Sequence, residues 1–248
     1  MEVVIALTGA AIGSFLNVCI RRIPAGESLV LPPSHCPRCL HPIKYYDNIP
    51  IVSYLLLRGK CRNCRERISL QYPLIELLAA LIALLLFWKF GLTLKFLFSF
   101  IFACTLTVIT FVDFGHQIIP DVVTLPGIPF FFLAAVLAMD VPWLEAALGI
   151  LIGGGILYAI AFGYELIAKR EGMGGGDIKL LAMLGAFIGI KNIVLVFLIG
   201  PIVALPFALY MRFVHNDEVI PFGPFLAIAG AWMFLFGEQT WQFVFALY

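Results

Sequence analysis

The sequence predicts an all-α, polytopic membrane helix bundle of about eight transmembrane helices, with one small loop domain on the cytoplasmic side. Three observations predict it. Hydrophobic residues make up 62% of the 248 and charged residues 12%, with mean hydropathy +1.03, whereas a soluble domain is about 25% charged. The apolar residues fall in long continuous runs, not the short alternating segments of a membrane barrel. The cations gather in the connections on one side of those runs. Only lipid or a bundle interior accommodates so much apolar surface. The composition excludes a soluble enzyme, a disordered chain and a nucleic-acid binder with a basic face. The net charge of +1 says nothing about partners, but the placement of charge does.

Taken in order, the apolar segments are 3–20, 72–90, 94–112, 122–140, 144–167, 177–190, 193–213 and 224–247. Most reach about 18 residues or more, enough for roughly 30 Å of hydrocarbon at about 1.5 Å per residue. The first starts Met1-Glu2 without a basic leader and runs straight into Arg21-Arg22. It therefore reads as an uncleaved span, not a signal peptide. The sixth, 177–190, is short and carries glycine, so a tilted or partial crossing is expected there. With eight spans, one side receives the connections 21–71, 113–121, 168–176 and 214–223. The first connection carries Arg21, Arg22, Arg38, Lys44, Arg58, Lys60, Arg62, Arg65 and Arg67, and that side also takes Lys169, Arg170, Lys179 and Arg212. Thirteen of the sixteen Lys and Arg thus share one side, which the positive-inside rule makes cytoplasmic and which leaves both termini outside. Trp88, Trp143 and Trp241 fall near the outer interface, where indoles anchor in headgroups. Gly149-x-x-x-Gly153 and Gly185-x-x-x-Gly189 allow close helix contact, within the bundle first and across a homodimer second.

The connection 21–71 is too short for a hydrophobic core of its own. It reads Cys36-Pro-Arg-Cys39, then 21 residues, then Cys61-Arg-Asn-Cys64. Two C-x-x-C pairs bring four thiolates to one tetrahedral zinc in a closed, structural site. Arg38, Lys60, Arg62 and Arg65 favour the thiolate forms. Two disulfides are the alternative, which a reducing cytoplasm disfavours. His35 and His41 read as loop histidines, and Cys19 and Cys104 as small buried residues.

Ionisable groups at a bilayer edge are costly, so each is a functional candidate. Asp113 ends the third span, and Asp177 begins the sixth after Gly174-Gly175-Gly176; they lie 64 residues apart and on the cytoplasmic side. Taken singly, Asp177 also reads as a helix N-cap and Asp113 as an acid closing a span. Together they form a carboxylate pair. Neighbouring like charges separate the two affinities for a proton, so one group is ionised and one protonated. The ionised carboxylate then activates a water and the protonated one donates to a scissile carbonyl. The glycines would let backbone approach an extended peptide, or turn through positive φ. Asp121, after Pro120, reads as a cap before a functional residue, and His116 as a loop histidine.

At these residues the chain resembles the bacterial type IV prepilin leader peptidase/N-methyltransferase family, GxGD-class intramembrane aspartyl proteases. Gly13-Ser14-Phe15-Leu16-Asn17-Val18 with Arg22 and Pro24 is similar to that family's first span. The four cysteines are similar to its zinc loop, and Tyr72-Pro73-Leu74-Ile75-Glu76 to its second span. Asp113 with Pro120-Asp121, Gly174-Gly175-Gly176-Asp177 with Lys179, and Pro221-Phe222-Gly223-Pro224 complete the match. The resemblance implies Asp113 and Asp177 as catalytic residues. It also implies cleavage of leaders from type IV prepilins or prepseudopilins at the cytoplasmic face of the inner membrane, serving pilus assembly or type II secretion. The new N-terminus would then be methylated with S-adenosylmethionine. On this reading 1–20 is the first span, 21–71 the cytoplasmic zinc loop and 72–248 the protease bundle.

No G-x-G-x-x-G follows a strand, so the methyl donor has no soluble-type nucleotide fold to bind. Asn17 and Glu76 are candidates to orient the methyl-transfer groups, or else hydrogen-bond between helices. Two other functional classes stand against the protease: an ion-coupled transporter, which would place its acids at the bilayer midplane, and a membrane anchor presenting a zinc module to a partner.

Overall fold

The computed structural model describes residues 1–168, 174–215 and 221–246. Among them the α-helices are α1 (Glu2–Arg22), the short α2 (Val52–Leu56), α3 (Gln71–Phe90), α4 (Leu94–His116), α5 (Asp121–Ala138), α6 (Trp143–Ala168), α7 (Gly175–Tyr210) and α8 (Gly223–Ala246). No sheet forms among the described residues; two isolated bridges, His35 to Pro42 and Lys60 to Arg67, are the β-type pairings in the loop. Among the described residues, six helices are long and apolar enough to cross a membrane: α1, α3, α4, α5, α6 and α7 taken to Phe213. The chain divides into two compact units, Met1–Val108 and Ile109–Tyr248. Lys169 and Arg170, both named above, lie outside the described residues.

In the first unit α1 begins with Glu2 and ends with Arg21 and Arg22, charges that complement the helix dipole at both ends. Its small residues set its partner. A Cβ on Gly9 would fall 2.8 Å from Ala83 Cβ, and one on Gly13 2.7 Å from Glu76 Cα. The later residue of α1 thus meets the earlier residue of α3, and the two helices pack antiparallel along a seam of Gly and Ala. Trp88, exposed on α3, donates its indole N–H to Glu2 (2.8 Å). The loop between the helices is held by local turns and by α2, with Arg62 forked onto Asp47 at 2.6–3.1 Å. The guanidinium holds the Asp47 carboxyl below its ordinary range.

In the second unit the apolar segments expected at 177–190 and 193–213 are the two arms of α7, which breaks at Gly189 (φ 76°, ψ 173°). A Cβ on Gly153 of α6 would meet both the Leu181 carbonyl and the Ile193 side chain. In a straight helix those residues would stand about 18 Å apart at 1.5 Å per residue. Phe207 near the end of the second arm touches Phe225 and Phe114 (5.3 and 6.2 Å between centroids), at the end of the unit where the first arm starts. The chain therefore reverses at Gly189. Gly149 and Gly185 face each other backbone to backbone, so both glycine stripes are used for packing α6 against α7. α8 runs alongside the first arm of α7 in the same direction, with Gly230 against Leu184 and Gly237 against Asn192, and antiparallel to the second arm, where Leu226 meets Gly200.

Candidate active site and metal centre

The second unit gathers its acids where α4 ends and α5, α7 and α8 begin. Asp113, one turn before the end of α4, is 5% exposed. Its Oδ2 accepts the backbone N–H of Gly223 at 3.0 Å, across 110 residues of sequence. Asp177 lies within electrostatic reach of Asp113. The two acids that the sequence singles out thus lie at the same end of the second unit.

Asp177 does not cap its helix. The N-cap is Gly174, with no side-chain capping bond, and Asp177 sits in the first turn. The glycines before it do not adopt positive φ. Their use is close approach: a Cβ on Gly176 would lie 2.8 Å from Ile119 Cβ. Ile119 is wedged on its other side against Gly223, where a Cβ would stand 3.0 Å from Ile119 Cδ1 and 2.8 Å from Asp113 Oδ2. Two glycines and one isoleucine therefore clamp the starts of α7 and α8 onto the end of α4. Asp121 begins α5, with Pro120 in the N-cap position. Its carboxylate takes both oxygens to Lys179 Nζ (2.6 and 2.7 Å). That ion pair joins the first turns of α5 and α7. His116 is exposed at the end of α4.

Sequence reasoning named Pro221-Phe222-Gly223-Pro224 through family resemblance alone. It had no physical reason to expect the Gly223 amide on Asp113, since nothing local marks a contact 110 residues long. The sequence likewise gives no direct sign of the Asp121–Lys179 pair, although opposite charges beside the two candidate acids are a usable signal.

The first unit holds the cysteines. Cys36, Cys39, Cys61 and Cys64 offer Sγ atoms within 4.8 Å of one another, and Cys36 and Cys64 are 3.8 Å apart. A tetrahedron with metal–sulfur bonds of about 2.3 Å has edges of about 3.8 Å, so the set fits such an ion. Each C-x-x-C pair forms the same turn. Leu40 N–H donates to the Cys36 carbonyl and Arg65 N–H to that of Cys61, with Leu40 and Arg65 both at positive φ. Backbone amide donation at His41, then the Asn63 side chain, pulls the Cys39 thiol down to about 6. Amides of Cys64 and Asn63 lower Cys61. Cys64 stands at about 11: the Glu66 amide lowers it, but desolvation and the three neighbouring thiols outweigh that pull. Four crowded thiols do not all ionise without a cation between them. His35 and His41 lie outside the four-residue cluster, as do Cys19 and Cys104.

Asn17 and Glu76 also lie in the first unit. The Asn17 amide donates to Gly13 O (3.2 Å) and, across the helix seam, to Tyr72 O (3.1 Å). Glu76 Oε2 accepts the N–H of Ile51 at 2.7 Å.

Comparison with known proteins gives the chain a family. The model of the bacterial peptidase A24 N-terminal domain matches residues 7–90, and that of the type IV leader peptidase family matches 100–209. The chain is similar to the prepilin leader peptidase/N-methyltransferase of Neisseria gonorrhoeae, at 37% identity over 96% of this chain and 92% of that one. It is 37% identical to the protein of that name from Pseudomonas aeruginosa, over 94% and 89% of the two chains. It is 34% identical to the one from Pseudomonas putida, over 94% and 90%. No solved structure matches the chain.

Proposed function

The chain belongs to the type IV leader peptidase family, and from that premise we propose that it removes the leader peptide of type IV prepilins or prepseudopilins and N-methylates the new N-terminus. The observation that carries the peptidase half is that Ile119 packs against both Gly176, next to Asp177, and Gly223, whose amide holds Asp113, so that both acids lie at one end of the second unit. One carboxylate takes a proton from water and the water oxygen attacks the scissile carbonyl carbon. The other donates its proton to the carbonyl oxygen. Collapse of the tetrahedral intermediate breaks the C–N bond as the amine takes up a proton. The Gly223 amide fixes Asp113, and Ile119 between Gly176 and Gly223 fixes the approach of the two helices. Asp121 and Lys179 act at one remove, by tying α5 to α7.

The proposal includes the membrane arrangement. Counting the arms of α7 separately and adding α8 makes eight spans, with the multi-pass protein in the inner membrane and the loop 21–71 and the acids on the cytoplasmic side. A basic leader is retained in the cytoplasm by the positive-inside rule, so its cut site meets the acids there. The four cysteines hold a structural zinc, in which no coordination position is left for catalysis. S-adenosylmethionine is the methyl donor. A homodimer would form on a face other than the glycine stripes buried between α6 and α7.

The test is incubation of the purified protein with a prepilin, with and without S-adenosylmethionine, read by mass spectrometry. Leader loss in both reactions, and an added methyl only with the donor, is the expected result. An intact prepilin, together with ion flux in proteoliposomes, would point instead to the transporter reading.

A further inference from the structure

The loop 21–71 contains one helical turn that is apolar on its outer side. In α2, Val52, Leu55 and Leu56 are 47%, 67% and 76% exposed. Their spacing of i, i+3 and i+4 puts the three on one face. Ser53 and Leu57, on the other face, line the cavity between α1, α3 and the loop. A turn facing water would carry polar residues outward; this one carries two leucines and a valine.

One hydrogen bond fixes the level of α2 along α3. The N–H of Ile51, the N-cap residue of α2, donates to Glu76 Oε2 at 2.7 Å. Glu76 stands five residues into α3, about 7 Å along it at about 1.5 Å per residue. α2 therefore starts level with the first turns of a helix long and apolar enough to span a membrane, not out beyond its end. Ile51 is held at φ 61°, a costly conformation for a β-branched residue, so the fold specifies this placement.

Cations follow the turn. Arg58, Lys60 and Arg67 are exposed, and none of them is in an ion pair among the described residues. Lys60 and Arg67 face each other across an isolated bridge, and the Ile68 N–H donates to the Gly59 carbonyl at 2.8 Å. These bonds hold the three cations close to Gln71, where α3 begins. The whole loop carries nine Lys and Arg against three acids. An apolar turn at this level, bordered by uncompensated cations, fits the boundary between acyl chains and anionic headgroups. A second copy of the chain fits it less well, because it would bring the same excess of cations to the contact.

We propose that α2 lies in the bilayer surface beside α3, with Val52, Leu55 and Leu56 among the acyl chains and Arg58, Lys60 and Arg67 on anionic headgroups. The loop that carries the four cysteines is then bound to the membrane at its middle as well as at its two ends, through α1 and α3. Lipid phosphates, and not the chain's own acids, balance its excess charge. The proposal rests on α1 and α3 crossing the membrane and is independent of the peptidase reading.

The experiment uses the full-length protein in lipid nanodiscs, which leave both faces of the bilayer open. One set contains phosphatidylethanolamine with phosphatidylglycerol, the other phosphatidylcholine alone. Trypsin cleavage of the wild type after Arg58, Lys60 and Arg67 is timed by mass spectrometry against cleavage after the exposed Arg38 in the same digest. Relative to Arg38, the three sites are expected to be cut about tenfold more slowly in the anionic discs, because three cations are drawn to the leaflet. High salt is expected to abolish the difference. This arm needs no variant. In Leu56→Trp, matched to wild type in Tm, the added emission is expected to be blue-shifted and quenched by lipids brominated near the headgroup. The signal of the four native Trp is subtracted using wild type. Equal cleavage ratios in the two sets of discs would overturn the assignment to anionic lipid. Added emission at the wavelength of an indole in water, in the anionic discs, would overturn the insertion of α2. Blue-shifted emission that the brominated lipid does not quench would give the face to a second copy or another protein, and would overturn it too. Neither readout uses a prepilin, so the outcome stands apart from that of the cleavage assay.

Discussion

Asp113 keeps its position through a backbone amide supplied from 110 residues away. The donor is a glycine because a Cβ there would press on the very oxygen that accepts the bond, at 2.8 Å. Gly223→Ala is therefore expected to displace the carboxylate without removing it. Leader cleavage should fall about 10- to 100-fold, the scale of a sub-ångström to ångström misplacement, with a larger effect on kcat than on KM. Steady-state kinetics in detergent checks this, and unchanged kcat would show that Gly223 does not position Asp113. The two candidate acids stand out in the sequence by residue type and by their places at span ends. The residues that arrange them were not. Ile119, an apolar residue among many, becomes a spacer only because Gly176 and Gly223 close on it from two sides, and no one-dimensional pattern records that.

At the scale of elements, the continuous apolar runs marked the helices well, because lipid leaves few alternatives to helical backbone. α1, α3, α4, α5 and α6 begin and end within a few residues of the expected runs. The sequence also showed a short, glycine-bearing segment after Asp177, but not how it joins the next. The joint is one residue, Gly189, in a backbone conformation that L side chains rarely adopt. Gly189→Ala is expected to lower stability by about 1 kcal/mol or more, seen as a lower Tm in detergent; an unchanged Tm would mean the turn is not strained.

The cysteine loop offers a second test at this scale. Spacing alone indicated four ligands for one ion, and the observed sulfur positions fit that geometry. The Cys39 thiol, drawn down to about 6, is mainly thiolate at neutral pH and regains its proton as pH falls through that value. Ligation requires the thiolate. Bound zinc, about one per chain, is therefore expected to be retained at neutral pH and released progressively on acidification, as protons compete with the metal for the sulfurs. A zinc-sensitive dye reports the release. Protein purified without metal, with the four cysteines in disulfides, would contradict the four-thiolate centre.

For the whole molecule, charge asymmetry gives an orientation that helix packing cannot supply. Arg21 through Arg67 crowd one connection, while Lys89, Lys95 and Lys191 alone represent the opposite side in the eight-span arrangement. Protease added outside spheroplasts is expected to spare the 21–71 loop, and protease added to inverted vesicles to cut it. The reverse pattern would place the acids on the wrong side for a basic leader held in the cytoplasm. The acids Asp113 and Asp177 lie in Ile109–Tyr248 and the cysteine loop in Met1–Val108.

The most direct measurement is leader removal by purified Asp113→Asn and Asp177→Asn proteins, each matched to wild type in zinc content and Tm, with a prepilin as substrate. Each substitution keeps the shape of the side chain and removes the acid. Both variants should lose cleavage by at least about 10²–10⁴-fold, the range attributed to a positioned acid or base. Cleavage at the wild-type rate by either variant would mean that the pair does not activate the water.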